Sequence, residues 1–433
     1  MDTTLNEFIN SIYFFNNYSE ISYKNAERII SDTVASVLYG IRDQEVQDLI
    51  NTKNVETNNS FQMLGSSATL NKMDAVLVYG ISAVSNELDE GNTAAKGHPG
   101  SQIIPAILTT NNNYKTKDVL IAFIKSYEIS SRIARAIDLD KNTHPHGSWG
   151  IVGYVAFKCL LNKNFNENDL LNCVRLALSL PISTSWFSAE SGLTVRNAYS
   201  GLSAVVGENI LDLHSSGFTT SMQVIEDVYS YKLGNSIDFD TLLQDDLATP
   251  MVDKNYFKLY PSCRFTHGAI DATERLMKEK IIDTNSIDTI TIETYDLASR
   301  CNTTTPTSQL EAKFSIPYCI AITLLGLDPL NYYKNNLPII RTLINKIKVI
   351  ERKEFTNLLP DYRVTEVNIT TITGEELQSR VDVAKGEYTN PVSKEELINK
   401  YKKLFNSRNI ETDIDHLINI RKHKYFMDWL NVL

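Results

Sequence analysis

The spacing of apolar residues changes twice along this chain, and these changes constrain the fold more than any other feature. The first 260 or so residues repeat apolar side chains at helical spacing, as in the stretches 117–137 and 169–178. Within the first of these stretches, Glu128 and Arg132 stand four positions apart in the favourable order for an ion pair. This part of the chain is therefore predicted to form helices, and it shows no strand-like alternation of useful length.

A second pattern begins after Ala269, where apolar and polar residues alternate as they do in half-buried strands. Gly374 and Glu375 separate two of the alternating stretches and predict a hairpin turn. The predicted elements of this region are a helix over 270–280, strands over 289–295, 364–373 and 377–383, and a helix over 314–325. Such a mixture is typical of a small α+β domain.

Helical spacing returns near the end of the chain. Ser393 and Glu396 form a capping-box pattern just after Pro391, and apolar residues follow at helical spacing. We therefore predict a mainly α protein, in which a large all-α domain is built from both chain ends, residues 1–267 and 391–433. A smaller α+β domain, residues 268–390, is inserted between them.

Composition excludes several classes of protein. The formal net charge of the 433 residues is -10, which argues against a nucleic-acid partner. No apolar stretch approaches the roughly 18–20 residues that a membrane helix needs, and the first residues do not resemble a secretion signal. The five cysteines form no C-x-x-C pair, so a zinc site or a disulfide framework is not predicted. These features together favour a cytoplasmic protein.

The first candidate site is the segment Gly97-His98-Pro99-Gly100, which precedes an apolar helical stretch. Proline suits the first turn of a helix, so His98 is expected at a helix N-terminus, where the helix dipole favours anions. Asp89 and Thr93 lie just upstream. The alternative is a plain loop in which the histidine only caps the helix.

The second candidate site is His144-Pro145-His146-Gly147, after which glycines recur every three residues. Small residues at that spacing indicate close helix packing, but they do not explain two histidines at a helix start. The histidines are two positions apart and lack an H-E-x-x-H frame, so a metal site is not favoured.

The third candidate site runs from Lys258 to His267 and crowds two cations, a thiol and an imidazole into ten residues at the apparent domain boundary. Clefts between domains often bind ligands. The alternative is a surface loop whose charges are solvated. Arg196 and Tyr318 carry little signal alone, because an arginine is usually exposed and a tyrosine in an apolar helix is usually in the core.

Five segments stand in an order that resembles the MmgE/PrpD family of enzymes. They are GHPGSQIIPAIL, HPHGSWGIVGYVAF, KLYPSCRFTHGAIDA, AKFSIPYCIA and GEYTNPVSKEELINKY, and the resemblance covers most of the chain. Its members include 2-methylcitrate dehydratase, cis-aconitate decarboxylase and iminodisuccinate epimerase. The resemblance implies a helical domain with an α+β lid domain, a homodimer, a small polycarboxylate substrate, and no metal or other cofactor.

The candidate residues are assigned by position. The catalytic group is Asp89, His98, His144 and Tyr318. The substrate-binding group is Thr93, His146, Arg196, Lys258, Cys263 and His267. In this scheme the first two histidines are an acid–base pair, the aspartate orients one imidazole, the arginine and the lysine hold carboxylates, and the tyrosine donates a hydrogen bond or a proton.

Three residues depart from the family pattern. Arg196 stands where the dehydratase and decarboxylase branches usually carry a lysine, and Cys263 stands where the decarboxylase branch carries a histidine. His146 stands where many members have a small hydroxylated or apolar residue. These departures leave the substrate open.

The expected function is a metal-free lyase that dehydrates or decarboxylates a small di- or tricarboxylic acid through proton transfer next to a carboxylate. One alternative is an isomerase or epimerase of an amino or imino dicarboxylate. Another is a homologue that binds a metabolite without catalysis.

Overall fold

Helices dominate the computed structural model, which describes residues 2–53, 60–333 and 338–433. The chain forms two compact units. The helical unit consists of Met1–Trp186, Val195–Phe257 and Ser393–Leu433, and the α+β unit consists of Phe187–Thr194 and Lys258–Val392. The protein is mainly α, as predicted.

The α-helices are, in chain order, α1 (Asp2–Phe14), α2 (Glu20–Gly40), α3 (Gln44–Lys53), α4 (Lys72–Val84), α5 (Pro99–Leu108), α6 (Thr116–Ala136), α7 (Gly150–Leu161), α8 (Glu167–Ser179), α9 (Trp186–Glu190), α10 (Val195–Ser215), α11 (Met222–Asp227), α12 (His267–Glu279), α13 (Asp296–Ser299), α14 (Gln309–Lys313), α15 (Ile316–Leu324), α16 (Pro338–Ile344), α17 (Lys353–Thr356), α18 (Lys394–Ser407), α19 (Ile414–Leu417) and α20 (Phe426–Leu430). The strands are β1 (Ser60–Gln62), β2 (Thr69–Asn71), β3 (Gly91–Asn92), β4 (Ile137–Leu139), β5 (Gly234–Ile237), β6 (Asn255–Tyr256), β7 (Ile287–Thr294), β8 (Ile347–Glu351), β9 (Thr365–Thr371) and β10 (Glu376–Val381).

The helical unit is held together by helices whose buried faces contain small residues. The predicted close packing after the second candidate site is confirmed, because α7 packs against α5 through glycines. A Cβ atom added to Gly153 would lie 2.9 Å from the Ile103 side chain. The apolar stretch over 117–137 forms α6, and its predicted ion pair joins Arg132 Nε to Glu128 Oε1 at 2.5 Å. Both side chains are buried, so this pair lies in the core rather than on the surface.

The α+β unit contains a four-stranded sheet with the order β10-β9-β7-β8. The predicted hairpin is confirmed: β9 and β10 pair antiparallel, and Gly374 in the turn has a φ of 81°. β7 pairs antiparallel with β9 and parallel with β8. The sequence did not predict β8, because its five residues are too few for a clear alternating pattern and its pairing with β7 is not encoded in them. α12 and α15 pack together, and α12 also packs on the hairpin strands, so these elements enclose the core of this unit.

The boundaries of the units in the structure differ in position from those drawn on the sequence. The α+β unit begins at Lys258, and it also includes the short segment 187–194. This segment is fixed within the unit by an ion pair of 2.6 Å between Arg300 and Glu190 and by a hydrogen bond of 3.1 Å that Ser308 Oγ donates to Gly192 O. Among the described helices, none has an apolar stretch long enough to cross a membrane.

The C-terminal segment returns to the helical unit through a buried ion pair. The predicted capping box at Ser393 begins α18, and Lys400 on that helix points into the core. Its Nζ lies 2.6 Å from Asp32 Oδ1 on α2 and donates to Leu88 O at 2.8 Å. The two chain ends therefore share one set of buried contacts.

We expect Lys400→Met to lower the free energy of unfolding by about 3–5 kcal/mol, because Asp32 would remain buried without its cation. Urea unfolding followed by circular dichroism measures the change. Lys402→Met, at an exposed position of the same helix, is the matched control and should change stability by less than about 0.5 kcal/mol. Equal effects of the two substitutions would contradict the importance of this pair.

Candidate active site

The first candidate segment forms a histidine–carboxylate pair at the start of α5. His98 directly precedes this helix, as predicted, and Pro99 occupies its first turn. His98 Nδ1 lies 3.1 Å from Asp89 Oδ2 and 2.7 Å from the backbone carbonyl oxygen of Glu90. A carbonyl can only accept, so Nδ1 carries the hydrogen. In the neutral ring, Nε2 is therefore the basic nitrogen.

Glu90 fixes the position of this turn. Its carboxyl group is fully buried and accepts hydrogen bonds from Gly100 N at 2.7 Å and from the Tyr127 hydroxyl at 2.9 Å. Burial raises the pKa of Glu90 to about 8, although these two hydrogen bonds oppose the shift. A Cβ atom on Gly100 would lie 2.5 Å from the Glu90 carboxyl, so this close approach requires glycine. Glu90 was not predicted as a site residue, because its only signal in the sequence is its position directly after Asp89.

The second candidate segment holds His144 in one tautomer. The backbone N–H of His146 donates to His144 Nδ1 at 3.1 Å, so the hydrogen of the neutral His144 ring is on Nε2. The ring stacks on Trp186 with a centroid separation of 4.8 Å. Burial lowers the pKa of His144 well below its usual value, and the positive charge of Arg196 lowers it further.

His146 lies between the other two imidazoles. Its ring centroid is 5.2 Å from that of His98 and 4.7 Å from that of His144, with edge-on orientations in both cases. One donor atom each from Asp89, His98 and His146 falls within 4.8 Å of the others. Among the residues that the structure describes, this group could hold a metal ion.

Arg196 is paired within the helical unit. Its guanidinium group forms an ion pair with Glu87 and donates from Nη1 to the carbonyl oxygen of Val84 at 2.9 Å. Both charged side chains are only 2% exposed. Thr93 is half-buried in the turn before α5, where its carbonyl oxygen accepts from Lys96 N at 3.2 Å.

The third candidate segment is buried within the α+β unit, so its interpretation as a solvated surface loop is wrong. Lys258 and His267 are both fully buried. Arg264 Nη1 lies 3.2 Å from His267 Nδ1, and Arg264 also donates to the carbonyl oxygen of Lys385 at 2.9 Å. Since a guanidinium group can only donate, His267 accepts at Nδ1 and donates from Nε2 to Ser262 O at 3.3 Å.

Cys263 and Tyr318 are the other two candidates of the α+β unit, and Cys301 and Cys319 lie near Cys263. Cys263 and Cys301 share a side-chain hydrogen bond, which raises the pKa of the Cys301 thiol together with burial. Burial also raises the pKa of Cys319 to about 12. The Tyr318 hydroxyl accepts from Tyr333 N at 3.0 Å, and burial raises its pKa to about 12. The raised pKa values of the Cys301 and Cys319 thiols argue against a thiolate nucleophile at either of these two residues.

The profile of the MmgE/PrpD N-terminal domain matches residues 4–235, and that of the MmgE/PrpD C-terminal domain matches residues 260–422. The chain belongs to the MmgE/PrpD family. The cis-aconitate decarboxylases of Mus musculus and Homo sapiens are 23% and 24% identical to it over 360 residues. Each alignment covers 76% of this MmgE/PrpD chain, and 70% and 71% of the two decarboxylases, respectively.

The candidate residues fall into two groups, one in each unit. The helical unit contains Asp89, Thr93, His98, His144, His146 and Arg196. The α+β unit contains Lys258, Cys263, His267 and Tyr318. Residues that contact the first group but carried no distinct sequence signal are Glu87, Glu90 and Trp186.

We expect Arg196→Lys to destabilise the protein by about 1–3 kcal/mol, although lysine is the residue usual in the dehydratase and decarboxylase branches. The guanidinium group pairs with the Glu87 carboxylate and at the same time donates to the carbonyl oxygen of Val84. A single ammonium group cannot reproduce this planar arrangement of donors. Urea unfolding measures the loss. Arg42→Lys, at an exposed position, is the control, and an equal response of both variants would refute this account.

Proposed function

We propose that this protein is a lyase that acts on a small di- or tricarboxylic acid at the carbon next to a carboxylate. In a dehydration this carbon loses a proton and the neighbouring carbon loses its hydroxyl group, together as water; in a decarboxylation CO2 leaves and a proton takes its place on the carbon. The observation that carries the proposal is the opposite hydrogen-bonding of two imidazoles in the helical unit. His98 has its hydrogen on Nδ1, whereas neutral His144 has it on Nε2. One ring is thus prepared to accept a proton and the other to donate a hydrogen bond.

His98 is the proposed base. A general base needs a basic atom within reach of the substrate, and a third group commonly orients the ring. Asp89 and the Glu90 carbonyl hold Nδ1, so Nε2 is the basic nitrogen of the neutral ring and accepts the proton from the carbon acid. The aspartate also stabilises the imidazolium ion that forms after the transfer.

His144 is the proposed electrophile. Negative charge develops on the substrate carboxylate when the neighbouring carbon loses its proton or its carboxyl group. A neutral imidazole can stabilise such a charge through its N–H, and the fixed tautomer supplies that N–H at Nε2. The stacking on Trp186 restricts the ring to one plane.

The remaining assignments rest on the family likeness. In the proposal the α+β unit acts as a lid domain, Lys258 holds a second carboxylate and Tyr318 donates a hydrogen bond or a proton. Arg196 contributes positive charge close to His144, but its pairing with Glu87 makes it a weaker carboxylate ligand than a lysine that lacks such a partner. Thr93, His146, Cys263 and His267 are proposed to shape the substrate pocket.

Two observations favour a lyase over an epimerase. An epimerase needs a base on each face of the reacting carbon, but the backbone N–H of His146 already occupies the basic nitrogen of neutral His144. Two relatives, at 23% and 24% identity, are named as cis-aconitate decarboxylases.

We expect the protein to incorporate solvent deuterium next to a carboxylate in at least one of citrate, 2-methylcitrate, cis-aconitate, aspartate or iminodisuccinate. Proton NMR in deuterated water follows each acid and distinguishes a new alkene, a lost carboxyl group and an inverted centre. His98→Ala should slow the exchange by about 10²–10⁴-fold. His214→Ala, which removes a histidine paired with Asp169 elsewhere in the helical unit, is the control.

This experiment separates the three functions. Elimination or decarboxylation supports the lyase, and inversion without net loss supports the epimerase. Binding of an acid without deuterium incorporation would identify a metabolite-binding protein. Full activity in His98→Ala would refute the proposed base.

We also expect His144→Ala to lower kcat by about 10²–10³-fold, because one charge-stabilising donor is lost. His144→Gln should recover part of this rate, since its amide can donate a hydrogen bond but cannot act as a base. Steady-state kinetics on the acid identified by NMR measure both variants. If the glutamine variant is no faster than the alanine variant, His144 transfers a proton itself and the electrophile role is wrong.

A further inference from the structure

His146 adds a third ligand-type side chain to the Asp89–His98 pair. The aspartate and His146 are each at most 1% exposed, and the His98 side chain is 13% exposed. Donor atoms from the three side chains converge within 4.8 Å of one another. The convergence depends on tertiary structure, because His146 lies 48 positions beyond His98 in the chain.

Local structure holds these donors in place. The backbone N–H of His146 donates to the ring Nδ1 of His144 at 3.1 Å, and Gly147 directly after His146 adopts a φ of 89°. The rings of His98 and His146 are nearly perpendicular, at 88°. His98 also contacts a backbone carbonyl, and metal-binding histidines commonly make such a contact with their second nitrogen.

The chemistry of the donors selects the kind of ion. Two imidazoles and one carboxylate are the ligands of many catalytic zinc sites and of non-haem iron sites. Calcium and magnesium prefer oxygen ligands, so two imidazoles disfavour them. Bonds of about 2.1 Å at tetrahedral angles place two ligands about 3.4 Å apart, so donor atoms that lie within 4.8 Å of one another must draw closer where they exceed this separation to bind one ion.

We propose that Asp89, His98 and His146 bind one divalent transition-metal ion of the Zn²⁺ class. We further propose that this ion competes with the reaction, because it occupies the ring that serves as the base. The binding itself is independent of the proposed function, whereas the competition rests on it. His146, a departure from the family pattern, would then make this chain sensitive to a metal that the reaction does not need.

Equilibrium dialysis of the full chain against Zn²⁺, followed by elemental analysis, tests the site without any substrate. We expect one Zn²⁺ per chain, and an affinity at least about ten-fold weaker in His146→Ser and in Asp89→Asn. His214→Ser removes the histidine of the His214–Asp169 pair, whose donor atoms lie 2.8 Å apart, and should leave the stoichiometry unchanged. Unchanged Zn²⁺ binding in His146→Ser, or no binding by the wild-type chain, would overturn the proposal.

A second measurement uses the wild-type protein, so it does not depend on the folding of any variant. Co²⁺ in a tetrahedral site with nitrogen ligands absorbs visible light much more strongly than hydrated Co²⁺. We expect this absorption to appear on titration with Co²⁺, to saturate at one equivalent and to disappear when Zn²⁺ is added. A titration spectrum that remains that of hydrated Co²⁺ would overturn the site.

The competition is tested by assaying turnover with and without stoichiometric Zn²⁺. We expect Zn²⁺ to lower the rate and a chelator to restore it, with less inhibition in His146→Ser relative to its own metal-free rate. An increase in turnover with Zn²⁺ would overturn the competition and make the ion a cofactor. A protein that binds Zn²⁺ but turns over none of the acids would refute the lyase while leaving the metal site intact.

Discussion

The buried carboxyl group of Glu90 is the interaction on which the candidate site depends. It accepts from the first turn of α5 and from the Tyr127 hydroxyl on α6, while its backbone carbonyl accepts from His98. Glu90 therefore contacts the start of α5, the Tyr127 side chain on α6 and the His98 ring. A buried carboxyl group is costly unless its hydrogen-bonding capacity is satisfied, and these contacts satisfy it.

Backbone groups determine which nitrogen carries the hydrogen in each of the two neutral imidazoles. A carbonyl faces Nδ1 of His98, and an N–H faces Nδ1 of His144. The two neutral rings therefore carry their hydrogens on opposite nitrogens. The segments next to the two histidines contain residues in the uncommon positive-φ region. The φ values are 55° at Glu87 and 53° at Lys96, both before His98, and 89° at Gly147, after His146.

Arg196 illustrates how a charge can be redirected within a fold. The sequence suggested a carboxylate-binding residue, because lysine is usual at this position in two branches of the family. In the structure the guanidinium group lies against Glu87. The positive charge of Arg196 lowers the pKa of His144, whereas the negative charge of Glu87 raises it. The helical unit thus contributes less net positive charge near the imidazoles than an unpaired cation would.

The sequence by itself determined the mainly α fold, the family, and the local elements: α6, α12, the hairpin of β9 and β10, the capping box of α18 and the helix start after His98. Periodicity and turn residues are local signals, and these elements depend on little else. Six of the candidate residues also lie in the three candidate segments with recognisable local patterns: His98, His144, His146, Lys258, Cys263 and His267. Tertiary structure alone decided the rest.

The strand β8 escaped prediction because its pairing with β7 is not encoded in its own five residues. The burial of Lys258, the pairing of Arg196 with Glu87 and the convergence of His146 on Asp89 and His98 join residues that are distant or apparently ordinary in sequence. The hydrogen positions on the two imidazoles were equally hidden, because they depend on which backbone group each ring meets after folding.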